Sequence, residues 1–376
     1  MTFVSFNFFF SGPRIIAFFA VLFLFSSAGF SQTPVNAKPP EDTNISAKKC
    51  WSFAAPDDGV ASLAGDEYGI FAVTFSGDVS AFDAAVGEKL WSSELGGAAA
   101  SDVVIDAKRV FIATNSADGN EPTTIRTLSR ETGITIWSAA FPRSDKVFLV
   151  VDTTGLVVIS AGGKAARFAL ADGKREWEKD LSAKVAAPPI FSAAAVFYVS
   201  GDGRINSIDP NSGAGKEANE ITQNAVFLGG THDEGILFSD DRGSLTKWTS
   251  GHTVSWQFKA GARITKAVRT KEGILAASDD NFVYMIWDYN GDVLWKIRLS
   301  GRVSDIAVLS DELAAAAAVG ENEVFILDLA KGRALTRVGG AEGEPVIGRI
   351  FSNAEGRFIT ASDAEIRMYS LRGCGK

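Results

Sequence analysis

The chain has 376 residues, of which 37 are basic and 45 acidic, for a formal charge of −8, and it contains two cysteines and two histidines. That length accommodates two ordinary domains or one large all-β domain with a sizeable core. An acidic chain with no cluster of Lys or Arg excludes nucleic acid as a partner, and any multi-His metal site would have to use His232 and His252.

Taken in chain order, residues 15–25, IIAFFAVLFLF, form an apolar run behind the single charge Arg14, and the small-residue stretch SSAGFS follows and ends at Ser31. This predicts a secretory signal peptide over residues 1–31. An uncleaved anchor is the other reading, although the run is short for the ~20 residues of a spanning helix. Residues 32–49 are polar and proline-bearing, and they predict a flexible leader. Within them Asn44-Ile45-Ser46 is a glycosylation sequon, of consequence only in a eukaryotic secretory pathway.

From residue 50 onward the sequence repeats itself. Trp91, Trp137, Trp177 and Trp295 each stand four residues after a glycine, at Gly87, Gly133, Gly173 and Gly291, and Trp256 stands five after Gly251. With Trp51 the steps are 40, 46, 40, 79 and 39 residues, so the step of 79 conceals a degenerate copy, with Glu217 in place of tryptophan. A further degenerate copy has Thr336. Between these positions run short segments rich in Val, Ile, Phe and Thr, broken by Gly, Asp and Ser at hairpin spacing. About 40 residues with four short strands is one propeller blade.

Eight such positions predict an all-β, eight-bladed propeller over residues 50–376. The last copy, GRFITASDAEIRMYSLRGCGK, ends before its tryptophan strand, while the ordered part begins with a tryptophan strand, CWSFAA, that has no blade before it. Joined in one sheet, the two close the ring. In each repeat the glycine is expected to supply a positive φ in the turn before the outer strand. The tryptophans, Trp51, Trp91, Trp137, Trp177, Trp256 and Trp295, are expected to dock on the next blade and find an acceptor there for the indole N–H. Ring closure should also bring Cys50 and Cys374 together, so a disulfide is expected in an exported chain.

These motifs, most closely AFDAAVGEKLW and IWDYNGDVLW, resemble the pyrroloquinoline-quinone-like repeat family, whose tryptophan-docking motifs pin adjacent blades. The family divides into quinone-dependent dehydrogenases and non-catalytic propellers of the BamB type. The dehydrogenases are longer and surround the quinone with an adjacent cysteine pair, carboxylates and calcium. Here the cysteines lie 324 residues apart, so the resemblance is nearer to the BamB-like branch, and no cofactor is expected.

Other catalytic arrangements are not in evidence: H-E-x-x-H, C-x-x-C and G-x-S-x-G do not occur. His232 and His252 sit in loop-like stretches and read as solvated turn residues. The recurrent acidic turns at 76–78, 239–241, 278–280 and 362–364 read as backbone caps and not as cation sites. The Ala-rich runs 274–278 and 314–320 read as strands crowded toward the axis.

The expected protein is an exported, periplasmic, non-catalytic scaffold that binds envelope proteins through its loop faces, with outer-membrane protein assembly as the candidate process, and acts as a monomer. BamB-type proteins carry a lipidated cysteine directly after the signal, whereas the first cysteine here is Cys50, which favours a soluble protein. The candidate contact loop is the insertion at 115–123, which accounts for most of the 46-residue step. A quinone- or other ligand-dependent enzyme using the central channel is the competing class, and a glycosylated surface propeller is a third.

Overall fold

The computed structural model describes residues 45–374 apart from short segments at 55–57, 182, 193, 222–225, 231–234, 250–252, 320–322, 340–348, 355 and 362–364. Every described element is a β-strand or turn, and the strands assemble into eight antiparallel sheets. Blades 1 to 7 occupy residues 60–93, 98–141, 147–180, 190–221, 226–259, 264–298 and 303–339. Blade 8 joins three strands within residues 349–370 to the N-terminal strand Lys48–Ala54. The ring is therefore closed by hydrogen bonds between the two ends of the chain, which cover the edge that Glu365–Ser370 would otherwise expose. The N-terminal strand begins at Lys48, so the last two residues of the expected leader belong to the closing sheet.

In blades 1 to 7 the strands follow in sequence from the axis outward, and in blade 8 the N-terminal strand is outermost. First strands of successive blades pack on one another and line the axis. Side chains tie this inner ring together: the Lys266 Nζ donates to Asp305 Oδ1 at 2.5 Å, and Asp305 Oδ2 accepts the Ile350 backbone N–H at 2.6 Å. Of the runs expected near the axis, 274–278 is a second strand and 314–320 falls for the most part in another, Leu313–Ala318. They lie between neighbouring blades with both faces covered, and alanine keeps those faces close.

The core is divided accordingly. Among the described residues eight apolar clusters appear, one at each seam. Alternation along a strand sends successive side chains to opposite neighbours, so middle strands are buried throughout. Outer strands cover only alternate residues, and in Lys-Leu-Trp-Ser-Ser at Lys89–Ser93 Trp91 and Ser93 are half-buried while the rest are exposed.

Two faces follow from the topology. Turns joining first to second and third to outer strands emerge on one face, the hairpin face. Turns joining second to third strands emerge with the blade-to-blade connections on the other, the crossover face.

Candidate functional site: seams and faces of the ring

In blades 1 to 4, 6 and 7 the turn before the outer strand is built on the same backbone bond, from the glycine N–H to the carbonyl four residues earlier. In blade 1 the Asp83 carboxylate accepts the N–H groups of Ala85 and Val86, and the Gly87 N–H donates to the Asp83 carbonyl at 2.9 Å. Gly87 has a φ of 71°. One residue of the outer strand then bulges, so that Lys89 pairs with Phe82 but Trp91 pairs with Ala81. A bulge turns the following side chain, and Trp91 is thereby aimed at the next blade. The same shift precedes Trp137, Trp177, Trp256, Trp295, Thr336 and Trp51. Blade 4 lacks it: Ser207, Asn206 and Glu217 pair without interruption at that point, with Lys216 opposite Ser207.

Each tryptophan lies against the turn glycine of the following blade. The pairs are Trp51 with Gly87, Trp91 with Gly133, Trp137 with Gly173, Trp177 with Gly213, Trp256 with Gly291 and Trp295 with Gly332. Five indoles donate to the carbonyl three residues before that glycine: Trp91 to Arg130, Trp137 to Leu170, Trp177 to Pro210, Trp256 to Asp288 and Trp295 to Leu329, at 2.7–3.0 Å. The sixth differs. Trp51 stacks on Phe53 and its buried Nε1 has no hydrogen-bond partner.

In two blades the residue opposite the tryptophan adds a cation to the same carbonyl. Arg167, 2% exposed, donates to Pro210 at 3.2 Å, to both carboxylate oxygens of Asp152, to Thr154 and to Glu176. Burial works to raise the Asp152 carboxyl, but the hydrogen bonds from Arg167, Thr154 and Gly155 prevail and hold it at about 2. Lys247 donates to the carbonyl and carboxylate of Asp288 at 3.1 and 2.8 Å. Both groups brace seams.

The two seams without an outer tryptophan are filled from the other side. Trp248 meets Phe238 edge-on at 5.1 Å between blades 4 and 5, and Tyr369 stacks on Phe358 at 5.3 Å between blades 7 and 8. Gly373, the blade 8 counterpart of the turn glycines, has open space where its neighbours meet an indole. Beside it Cys374 is bonded to Cys50, with Cα atoms 5.3 Å apart. Cys50 is the bulge residue before Trp51, so the disulfide stands where the other blades have a hairpin turn. Sequence reasoning missed Arg167, Lys247 and Trp248, because their only signal is a residue type at one strand position of one repeat.

On the crossover face, the insertion at 115–123 joins the second and third strands of blade 2. Its base is clamped: the Asn115 Nδ2 donates to the Ser144 carbonyl, the Thr123 hydroxyl donates to Asn115 Oδ1, and the Ser144 N–H donates back to that hydroxyl. Residues 117–122 above this base are exposed. The acidic turns of this face cap their own backbones. Asp240 accepts from Arg242 and Ser244, and Asp280 accepts from Phe282, Gly261 and the Tyr284 hydroxyl. Burial works to raise Asp240 as well, and those backbone bonds hold it below the ordinary carboxylate value. Among the described residues no group of three His, Cys, Asp or Glu side chains is placed to hold a metal ion. His232, His252 and the turn at 362–364 lie outside the described residues.

A family profile described as "Outer membrane protein assembly factor BamB" matches residues 42–153 and 121–216. This chain is an eight-bladed β-propeller, of which the profile covers the first four blades. Its fold is similar to the crystal structure of BamB from Moraxella catarrhalis, at 17% identity and a TM-score of 0.64 over 86% of this chain and 98% of that one. The computationally designed Ika8 protein matches with a TM-score of 0.68 at 13% identity, over 86% of this chain and 99% of that one. The Swd1 β-propeller domain of Myceliophteria thermophila matches with 0.56 at 12%, over 85% and 99%. No curated protein matches the sequence. The propeller also has, among its described residues, no helix long and apolar enough to cross a membrane.

Proposed function

We propose that the propeller is an exported, non-catalytic scaffold that binds other envelope proteins through the crossover face, in the manner of an outer-membrane assembly factor. The observation that carries this reading is the blade 2 insertion, whose base is fixed by three side-chain hydrogen bonds while its tip stays exposed. A contact loop held in one conformation loses little entropy on binding. The BamB-type repeat profile supports the same reading.

The test is affinity capture of the tagged chain from envelope extract, beside the variant Asp118→Ser/Asn120→Ser/Glu121→Ser, which leaves the clamp intact. A stoichiometric envelope protein recovered by the parent and lost by the variant is the expected result. Bound quinone and calcium with no protein partner would instead favour an enzyme.

A further inference from the structure

Every blade ends in an outer strand whose far edge meets no further strand. An open sheet edge pairs with other chains unless charge, proline or irregularity guards it. Seven of the eight outer strands carry Lys, Arg, Asp or Glu, with five charges in Arg175–Asp180 alone. Blade 2 is the exception. Its outer strand, Thr135–Phe141, reads Thr-Ile-Trp-Ser-Ala-Ala-Phe, and the uncharged run extends from Thr132 to Pro142. It is also the most regular edge. Past the bulge at Ile136, Trp137 to Phe141 pair with Thr127 to Thr123 without a break, whereas no other described outer strand pairs for more than four residues in a row. Trp137 is docked on Gly173 of blade 3, and the exposed Ser138 and Ala140 are too short to fold over the edge. Ile134 and Ile136, 68% and 47% exposed, stand at its entrance.

What completes such an edge is dictated by its backbone. Every second residue of an outer strand turns its N–H and C=O away from the sheet, at the spacing of another extended chain. Because this edge has no charge to offer, a charged segment would lose water without gaining a counter-ion, so the segment that fits is uncharged. The strand runs from the hairpin face to the crossover face and ends beside the insertion. There Arg143 donates to the Glu121 carbonyl at 3.2 Å, and Ser144 holds the insertion base. A chain laid along the strand therefore reaches the loop at 117–122. A second copy of the propeller fits less well, because two convex rims meet along little more than one strand each, short of the ~800 Å² per partner of a stable interface.

We propose that Thr135–Phe141 takes up an extended, uncharged segment of the partner protein by strand addition, main chain to main chain, with side chains of the segment packing beside Ile136. The proposal rests on the scaffold reading for its partner, and it adds which kind of segment is recognised and by which atoms.

The experiment is fluorescence anisotropy of a fluorescein-labelled peptide of alternating threonine and valine, about ten residues long, titrated with the tagged chain, with hydrogen exchange read on the complex. The peptide should bind and slow amide exchange within Thr135–Phe141, and leave the outer strands of other blades unchanged. N-methylation of its amides, which removes the donors and keeps the side chains, should abolish binding. Ser138→Lys/Ala140→Lys, which gives blade 2 the guard of the other seven, should weaken binding about tenfold, whereas Ser138→Thr/Ala140→Val, and Ser92→Lys in blade 1, should leave it unchanged. No binding, or equal binding of the N-methylated peptide or by the lysine variant of blade 2, overturns the proposal. A dimer of the parent chain in sedimentation equilibrium, lost in that variant, overturns it in favour of a second copy. The scaffold reading is separable. An envelope protein captured through the insertion and indifferent to Ser138→Lys/Ala140→Lys would uphold that reading and overturn this one, while peptide binding at the edge with nothing captured would uphold strand addition and overturn the scaffold.

Discussion

At the scale of the residue, each turn glycine answers two demands at once: a backbone that L side chains resist, and a surface flat enough for an indole. A Cβ on Gly87 would stand 2.5 Å from the Trp51 ring, on a residue whose φ is 71°. Gly87→Ala should therefore cost roughly 2–5 kcal/mol in urea unfolding, from left-handed strain and overpacking together. Gly119→Ala, with positive φ but open space, should cost only the strain. Arg167 makes a different demand, since it is a buried cation and the Asp152 carboxylate is nearly buried with it. Arg167→Met should destabilise by about 3–5 kcal/mol at neutral pH, because Asp152 is left charged and unpaired. The Asp152 carboxyl is held at about 2 against an ordinary 3.8. A carboxyl depressed on folding contributes its stability above the unfolded value and loses it as pH falls toward the folded one. The gap between parent and Arg167→Met should thus narrow by roughly 2 kcal/mol between pH 5 and 2, which denaturant titrations across that range would read.

At the scale of the element, a blade buries its apolar residues only against its neighbours, so each seam is a separate packing problem. Six seams use an outer tryptophan from the preceding blade. The seam after Glu217 relies on Trp248 and Phe238 from the following one. Trp248→Ala should cost about 3–5 kcal/mol, and hydrogen exchange should show the loss concentrated in blades 4 and 5. A smaller effect than for Trp177→Ala would mean that this seam draws its stability from elsewhere. The contrast also explains what the sequence could disclose. The outer tryptophans stand at a fixed distance from a glycine and repeat every ~40 residues, so strand order, blade number and closure by the N-terminal strand were legible. Trp248 occupies a strand position that other blades fill with Phe, Leu, Ile or Tyr, and Arg167 one that they fill with Ala, Thr, Lys, Met or Ile, and no period marks either. The apolar residues exposed on outer strands were equally hidden, for Leu90 and Ile136 follow the same alternation as buried positions until a bulge turns them outward.

At the scale of the whole molecule, a ring has no terminal blade to fray, and its integrity rests on the sheet that joins the two ends of the chain. In seven blades the third and outer strands are joined by a continuous turn, whereas in blade 8 they are Glu365–Ser370 and Lys48–Ala54, from opposite ends of the sequence. The Cys50–Cys374 bond restores that connection across 324 residues. Closing so long a loop takes entropy from the unfolded chain, which places its contribution near ~5 kcal/mol in the chain-entropy account. The seam is the place to look for the effect, since Trp51 there also lacks the acceptor that five other indoles have. Reduction, or Cys50→Ser/Cys374→Ser, should lower the melting temperature by several degrees, and amides of Lys48–Ala54 should exchange before those of any other outer strand. If exchange instead rose evenly in all eight blades, the bond would act on the unfolded chain alone and the native seam would hold without it.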